Sequence, residues 1–61
     1  MQSEPWELWR VLCNVYPMPL SRTRDRILSW LYNARQAGLI TLAEHKLLAN
    51  ADAEQRGLNH G

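Results

Sequence analysis

The chain has 61 residues, with 7 lysines and arginines against 6 acidic residues and a formal net charge of +1. A chain of this length forms one domain, here residues 1–61, and buries only about 60% of the surface its unfolded form exposes. Cys13 is the only thiol, which excludes an internal disulfide, and with His45 and His60 it matches no metal-ligand spacing. We therefore expect no disulfide, metal or cofactor, and we expect a partner subunit to supply the missing burial.

The first segment, residues 4–16, is predicted to be a helix. Ser3 can cap it, and Pro5 is tolerated in a first turn whose N–H groups have no partner within the helix. At about 100° per residue, the polar residues share one narrow stripe, and apolar residues cover more than half of the circumference. A helix of a small domain needs an apolar stripe of little more than about 100°, so this helix predicts a second contact. The polar stripe contains Glu7, Arg10 and Asn14.

The connector Tyr16-Pro17-Met18-Pro19-Leu20 ends the first helix, because each proline restricts the preceding residue to extended conformations. Ser21 is predicted to cap a second helix that runs to about Ala37. Apolar residues at i, i+3, i+4 and i+7 form its inward face, and Leu28 and Tyr32 lie outside that face. The inward residues are Ile27, Trp30, Leu31 and Ala34.

Gly38 ends the second helix, because glycine adopts the left-handed conformation without a Cβ penalty. A third helix is predicted over residues 42–55, since Thr41 and Glu44 have the spacing of a capping box. Residues 57–61 are expected to form a frayed tail. We predict an all-α fold of two or three short helices: a helical hairpin of residues 21–37 and 42–55, with the apolar first helix docked across it or onto a second copy. The inward residues of the third helix are predicted to be Ala43, Leu47, Leu48 and Ala51.

The sequence gives little support for catalysis or for membrane insertion. Glu44 and His45 are adjacent, so they point about 100° apart on a helix and form no relay. Cys13 has no histidine in its helix to act as a base, and it is expected to fill a core position. No apolar run approaches the roughly 20 residues of a membrane span, and no basic segment of a secretory signal is present. We expect a cytoplasmic protein that is not an enzyme.

A DNA-binding regulator is the alternative that the arginines raise. The second helix carries Arg22, Arg24, Arg26 and Arg35. Guanidinium groups contact phosphates, and the hairpin has some likeness to a helix-turn-helix. The third helix, which would read the bases, carries three acidic residues and one lysine, and this charge disfavours nucleic acid. The more ordinary explanation of the arginines is the solvated or salt-bridging border of a buried stripe, and contacts to an acidic protein partner are a further one.

Tryptophan is the most informative residue type, with three copies in a chain that has no phenylalanine. A tiny core that relies on large side chains is one explanation. An interface is the other, because Trp, Tyr and Arg are the usual energetic anchors of protein contacts. Both explanations stay open at the level of sequence. The protein-interface candidates are Trp6, Trp9, Leu12, Arg22, Arg26, Leu28 and Tyr32.

The tryptophan-rich start EPWELWRVLCNVYPMP and the segment RILSWLYNARQAGLITLAEHKLLAN resemble small early proteins of lambdoid bacteriophages, those encoded between the exonuclease and excisionase genes. The resemblance covers essentially the whole chain and rests on overall character. It implies an accessory protein, dispensable for growth in rich conditions, that binds phage or host proteins and acts on the host or on the lysis–lysogeny choice. A homodimer is the expected form. The family offers no agreed site to carry onto this chain.

Overall fold

The protein consists of three helices, which a computed structural model describes within residues 5–58. They are α1 (Pro5–Val15), α2 (Arg24–Gln36) and α3 (Leu42–Gln55), and no strand occurs among the described residues. The predicted all-α class is confirmed, and α2 packs against α3 as a helical hairpin with α1 docked on α3. The predicted cap of the first helix, Ser3, lies outside the described residues.

The end of α1 is attached to α2 by a tryptophan. Trp30, on α2, donates its indole N–H to the backbone carbonyl of Tyr16 at 2.9 Å, directly after α1 ends. The rings of Tyr16 and Trp30 stack with centroids 6.4 Å apart. This contact satisfies the one polar atom of a nearly buried indole, and it fixes the position from which the proline connector departs.

The start of α2 differs from the prediction. Thr23, and not Ser21, is the N-cap: its hydroxyl accepts a hydrogen bond from the backbone N–H of Arg26. The carbonyl of Arg22 instead accepts a hydrogen bond from Arg56, which follows α3. Arg22 thus lies before the helix and bonds a residue that is distant in sequence. Local helix propensity does not predict this contact.

The turn between α2 and α3 follows the local signals in the sequence. Gly38 has φ of 80° and donates its N–H to the Arg35 carbonyl, while Leu39 donates to the Ala34 carbonyl. These two bonds form a Schellman motif, which satisfies the last carbonyls of α2. The predicted capping box of α3 is present, with Thr41 and Glu44 bonding each other's backbone N–H groups at 2.8 and 3.1 Å.

The core lies where the three helices meet, in a body of 32 × 30 × 17 Å. All four inward residues predicted for α2 are buried. Helices pack with axes about 8–10 Å apart, so a thickness of 17 Å leaves room for only one interior plane. The buried core consists of Leu12, Ile27, Trp30, Leu31, Ala34, Ile40 and Leu48.

The inward face of α3 is only partly as predicted. Leu48 and Ala51 are buried, but Ala43 is exposed and Leu47 is 42% exposed. The burial continues instead onto Asp52 and its neighbour Ala53. Apolar residues are spread around α3, and α1 and α2 both pack against it. Its buried face is therefore set by where the other helices dock.

The segment after α3 turns back on the helix. Gly57, with φ of 73°, donates to the Glu54 carbonyl at 3.1 Å, and Leu58 donates to the Ala53 carbonyl at 2.9 Å. These bonds repeat the pattern seen at the end of α2 and hold the first two residues of the predicted tail. The rest of that tail, residues 59–61, lies outside the described part of the chain.

Candidate functional site

An open cleft of about 460 Å³ lies between α1, the connector and the end of α3. Its volume falls in the range of about 300–1,000 Å³ that is usual for ligand sites. We name it the tryptophan cleft. It is lined by Trp6, Trp9, Met18, Arg22, Ile27, Asp52, Gln55 and Arg56.

Aromatic rings form the wall of the tryptophan cleft on the α1 side. The ring of Trp6 meets Trp9 edge to face with centroids 6.2 Å apart, and Trp9 meets Trp30 in the same way at 5.5 Å. Such contacts each contribute about 0.5–1.5 kcal/mol beyond the burial of area. Trp9 is thus attached to the core, whereas Trp6 at the end of the row remains 50% exposed. Trp6 is the ring of this row that the fold leaves available.

The opposite side of the tryptophan cleft is built around Asp52, a buried carboxylate. Arg24 on α2 and Arg56 each bring a nitrogen to 2.8 Å from its Oδ2 atom. Arg24 also donates to the Ala49 carbonyl at 3.0 Å. The start of α2 and the end of α3 are thereby joined, and a further bond, from Arg56 to the carbonyl of Arg22, links the same two segments.

The protonation of Asp52 follows from this network. Burial acts to raise the pKa of Asp52, but the hydrogen bonds and charges of Arg56 and Arg24 outweigh burial and hold the pKa below its usual value. The carboxylate is therefore ionised at neutral pH and neutralised by its partners. Because two guanidinium groups pair with one carboxylate, part of their positive charge is not compensated by Asp52.

The arginines that line the tryptophan cleft have N–H groups that no described residue accepts from. Within residues 5–58, Arg22 donates only through Nε, to the Pro19 carbonyl at 3.3 Å. Arg56 donates through Nε and Nη2. A guanidinium carries five N–H donors in a planar fork, so both residues retain donors that the described contacts do not use.

The structure separates the interface candidates that the sequence suggested. Trp6, Trp9 and Arg22 come together at the tryptophan cleft. Leu12 is 2% exposed and belongs to the core, so it is not accessible to a partner while the fold is intact. Arg26 lines a second cleft of about 310 Å³, with the prolines of the connector and the stacked Tyr16 and Trp30.

The remaining candidates lie on α2, away from the tryptophan cleft. Leu28 is half-buried, and Tyr32 is half-exposed. The guanidinium of Arg35 lies 5.4 Å from the centre of the Tyr32 ring, a cation–π contact. Arg35, in the last turn of α2, thus contacts a neighbour on its own helix.

Five residues of the tryptophan cleft were not among the predicted interface candidates: Met18, Ile27, Asp52, Gln55 and Arg56. One signal for them existed. Asp52 and Arg56 are four apart on a helix, a spacing that places opposite charges side by side. The contact of Arg24 with Asp52 spans 28 positions, and no local pattern predicts it.

Cys13 packs against the core and is partly buried. Burial raises the pKa of its thiol, and the nearby positive charge of Arg22 opposes this only in part. The thiol is therefore protonated at neutral pH and weakly nucleophilic. In the part of the chain that is described, no three His, Cys, Asp or Glu side chains are placed to hold a metal ion.

α1 also exposes apolar residues on its other side. Val11 and Val15, one turn apart, are both exposed. At about 100° per residue they lie roughly 180° around the helix from Trp6, with Glu7, Arg10 and Asn14 between the two edges on the outer surface. We name Val11 and Val15 the valine edge. Docking on α3 therefore covers the middle of the apolar surface of α1. Trp6 and the valine edge, at the two borders of that surface, stay exposed.

No protein-family model matches this chain, and neither a curated protein nor a solved structure is significantly similar to it. Of the helices described, α3 is the longest with 14 residues, and none is long and apolar enough to cross a bilayer.

Proposed function

We propose that the protein is a helical interaction module that binds a partner protein at the tryptophan cleft. The observation that carries this proposal is the half-exposed Trp6 on the wall of an open cleft with an arginine rim. Tryptophan and arginine are the residues most enriched among energetic anchors of interfaces. In keeping with the resemblance to lambdoid phage early proteins, the proposed role is to bias host physiology or the lysis–lysogeny choice by binding.

The burial pattern explains why the anchor is Trp6 and not its neighbour. Trp9 lies between Trp6 and Trp30 in the row of rings and packs against the core. Its removal would weaken the fold together with any interface. Trp6 has only one ring neighbour among the described residues, so a partner can cover the exposed part of its ring. Removing that ring should cost the fold little stability.

DNA binding is the weaker alternative. Of the arginines that would contact phosphates, Arg24 bonds Asp52 and Ala49, and Arg35 lies over Tyr32. The ion pair with Asp52 neutralises the charge of Arg24, and the contact with Tyr32 engages a second guanidinium that phosphates would need. A titration with mixed-sequence duplex at low salt tests this alternative, because binding through phosphates must weaken steeply as salt is raised.

Replacing Trp6 with alanine is expected to abolish partner capture without unfolding the protein. Loss of a central tryptophan anchor costs about 2 kcal/mol of binding free energy or more, a loss of more than tenfold in affinity. The measurement is affinity capture from a bacterial lysate with the two proteins in parallel, with circular dichroism to verify the helices. Tyr32→Ala is the matched control, since it removes an equally exposed aromatic ring from α2.

Equal capture by the wild type and Trp6→Ala would contradict the proposed site. If Tyr32→Ala alone loses the partner, the binding surface lies on α2 and not at the cleft. If all three proteins capture nothing above a control resin, the interaction module itself is refuted for that host.

We further propose that a second copy of the chain covers the valine edge, in line with the predicted homodimer. A twofold symmetric contact pairs the same surface of both copies, and two antiparallel α1 helices would place Val11 of one copy near Val15 of the other. The apolar edge supports this arrangement, since a domain of this size gains stability from a partner subunit.

Val15→Glu is expected to convert the dimer to a monomer, because two carboxylates would be buried without partners at the contact. Sedimentation equilibrium over a dilution series measures the mass directly. Leu20→Glu adds the same charge at a fully exposed residue of the connector, and it should leave the mass unchanged. A wild-type protein that sediments as a monomer at every micromolar concentration contradicts self-association.

A further inference from the structure

We infer that the occupant of the tryptophan cleft is an acidic peptide segment, in which a bulky apolar side chain lies within a few residues of an Asp or Glu. This inference rests on the proposed function and adds to it the chemistry of the partner. The apolar side chain packs on Trp6, and the carboxylate pairs with Arg22 and Arg56.

Charge complementarity carries the argument. The guanidinium groups of Arg22 and Arg56 line the cleft and that of Arg24 lies behind Asp52, whose carboxylate is the one acidic group in the lining among residues 5–58. That carboxylate is already bonded by two of them at 2.8 Å. The cleft therefore carries an excess of positive charge beside apolar rings, and a partner carboxylate neutralises it. A basic or purely apolar segment would leave the guanidinium groups dehydrated and unpaired.

The arginine at the base of this rim is held in place before any partner arrives. Arg56 is fixed by Asp52 on one side and by the carbonyl of Arg22 on the other. Its guanidinium therefore loses little conformational freedom on binding, which is the cost that weakens contacts of long surface side chains. The planar fork suits a carboxylate, because two parallel N–H groups can donate to its two oxygens.

The apolar part of the cleft sets the second requirement. Trp6 and Met18 present aromatic and thioether surface to the same space, above the buried Ile27. A small polar side chain would leave this surface wet, whereas a Leu, Met or aromatic side chain removes it from water at about 25 cal/mol per Å². Both features are needed in one segment, since the aromatic wall and the rim line one cleft.

A random peptide library selected on the immobilised full-length protein tests the inference. The selected sequences are expected to be enriched in pairs of a bulky apolar and an acidic residue close together. For a synthetic copy of an enriched peptide, followed by tryptophan fluorescence, we expect Arg22→Glu to weaken binding by about tenfold or more. Lys46→Glu, the same change of charge at an exposed residue near the start of α3, should leave affinity unchanged.

The test includes two further readouts. Changing the acidic residue of the peptide to its amide should weaken binding to the wild type but not to Arg22→Glu, where the peptide carboxylate faces a like charge. Affinity for the wild type should fall as salt is raised, since the rim is solvent-accessible. Arg22 lies outside the helices, so its substitution leaves the fold intact, as circular dichroism will verify.

The outcomes separate this inference from the proposed function. Peptides that require Trp6 but show no acidic enrichment and no response to Arg22→Glu overturn the charge argument and leave the cleft as the binding site. Peptides that bind Trp6→Ala as well as the wild type overturn both. A library that yields no binder counts against both, and enrichment of basic residues overturns the inference directly.

Discussion

The variant Leu31→Ala is expected to lose about 2–5 kcal/mol of unfolding free energy, the largest effect we foresee. Leu31 has no exposed surface and lies at the centre of the core between the three helices. Its truncation removes buried methyl groups and leaves a cavity that rigid helices close only in part. A domain of 61 residues has a stability of roughly 3–9 kcal/mol, at about 0.05–0.15 kcal/mol per residue.

The loss is a large fraction of that stability, so the urea midpoint of Leu31→Ala should be much lower than that of the wild type. Urea denaturation followed by circular dichroism measures the change in unfolding free energy. Leu47→Ala is the matched control, because it makes the same chemical change on α3 at a side chain that is 42% exposed. It should cost about 1 kcal/mol or less. Equal losses from the two substitutions would contradict the location of the core.

Asp52→Asn is expected to lower the unfolding free energy by about 2 kcal/mol at neutral pH. The substitution keeps the shape of the side chain but removes the charge that joins Arg24 and Arg56. The Asp52 side chain is only 8% exposed, which favours a large loss. The two arginines retain 33% and 28% exposure, and water can solvate them once they are unpaired. We therefore expect a value below the full penalty of a buried pair.

The pH dependence gives this prediction a second readout. The pKa of Asp52 is lower in the folded protein than in the unfolded chain. Its stabilising contribution is then fully present above the unfolded pKa, about 4, and is lost as the pH falls through the folded pKa. The wild type should lose stability in this range, and Asp52→Asn should lose less. The stabilities of the two proteins converge in acid.

Glu54→Gln is the control for Asp52→Asn, since it removes one negative charge from an exposed residue two positions along the same helix. Its unfolding free energy should stay within about 0.5 kcal/mol of the wild type. If Glu54→Gln and Asp52→Asn behave alike from neutral pH to acid, the effect is one of net charge. The specific role of the buried carboxylate would then be refuted.

The candidate site was only partly predictable. The excess of apolar residues on α1 pointed to Trp6, which the fold leaves half-exposed, because periodicity shows when a helix has more apolar surface than one contact needs. Periodicity does not show which part of that arc docks. Leu12 and most of Trp9 are buried in the core, whereas Trp6 and the valine edge remain exposed at the two borders. The acidic and basic side chains that complete the cleft come from the far end of the chain.

The sequence by itself determined the helices and the turn between α2 and α3. Its signals there are local: the Thr41–Glu44 capping box and the left-handed Gly38 act through hydrogen bonds between residues three to five positions apart. Tertiary structure alone decided the buried face of α3, the start of α2 at Thr23 and the burial of Asp52. Each of these depends on a contact between distant segments, such as the bond from Arg56 to the carbonyl of Arg22. Such contacts form only once the helices have packed, because their energy depends on the burial and placement of both partners.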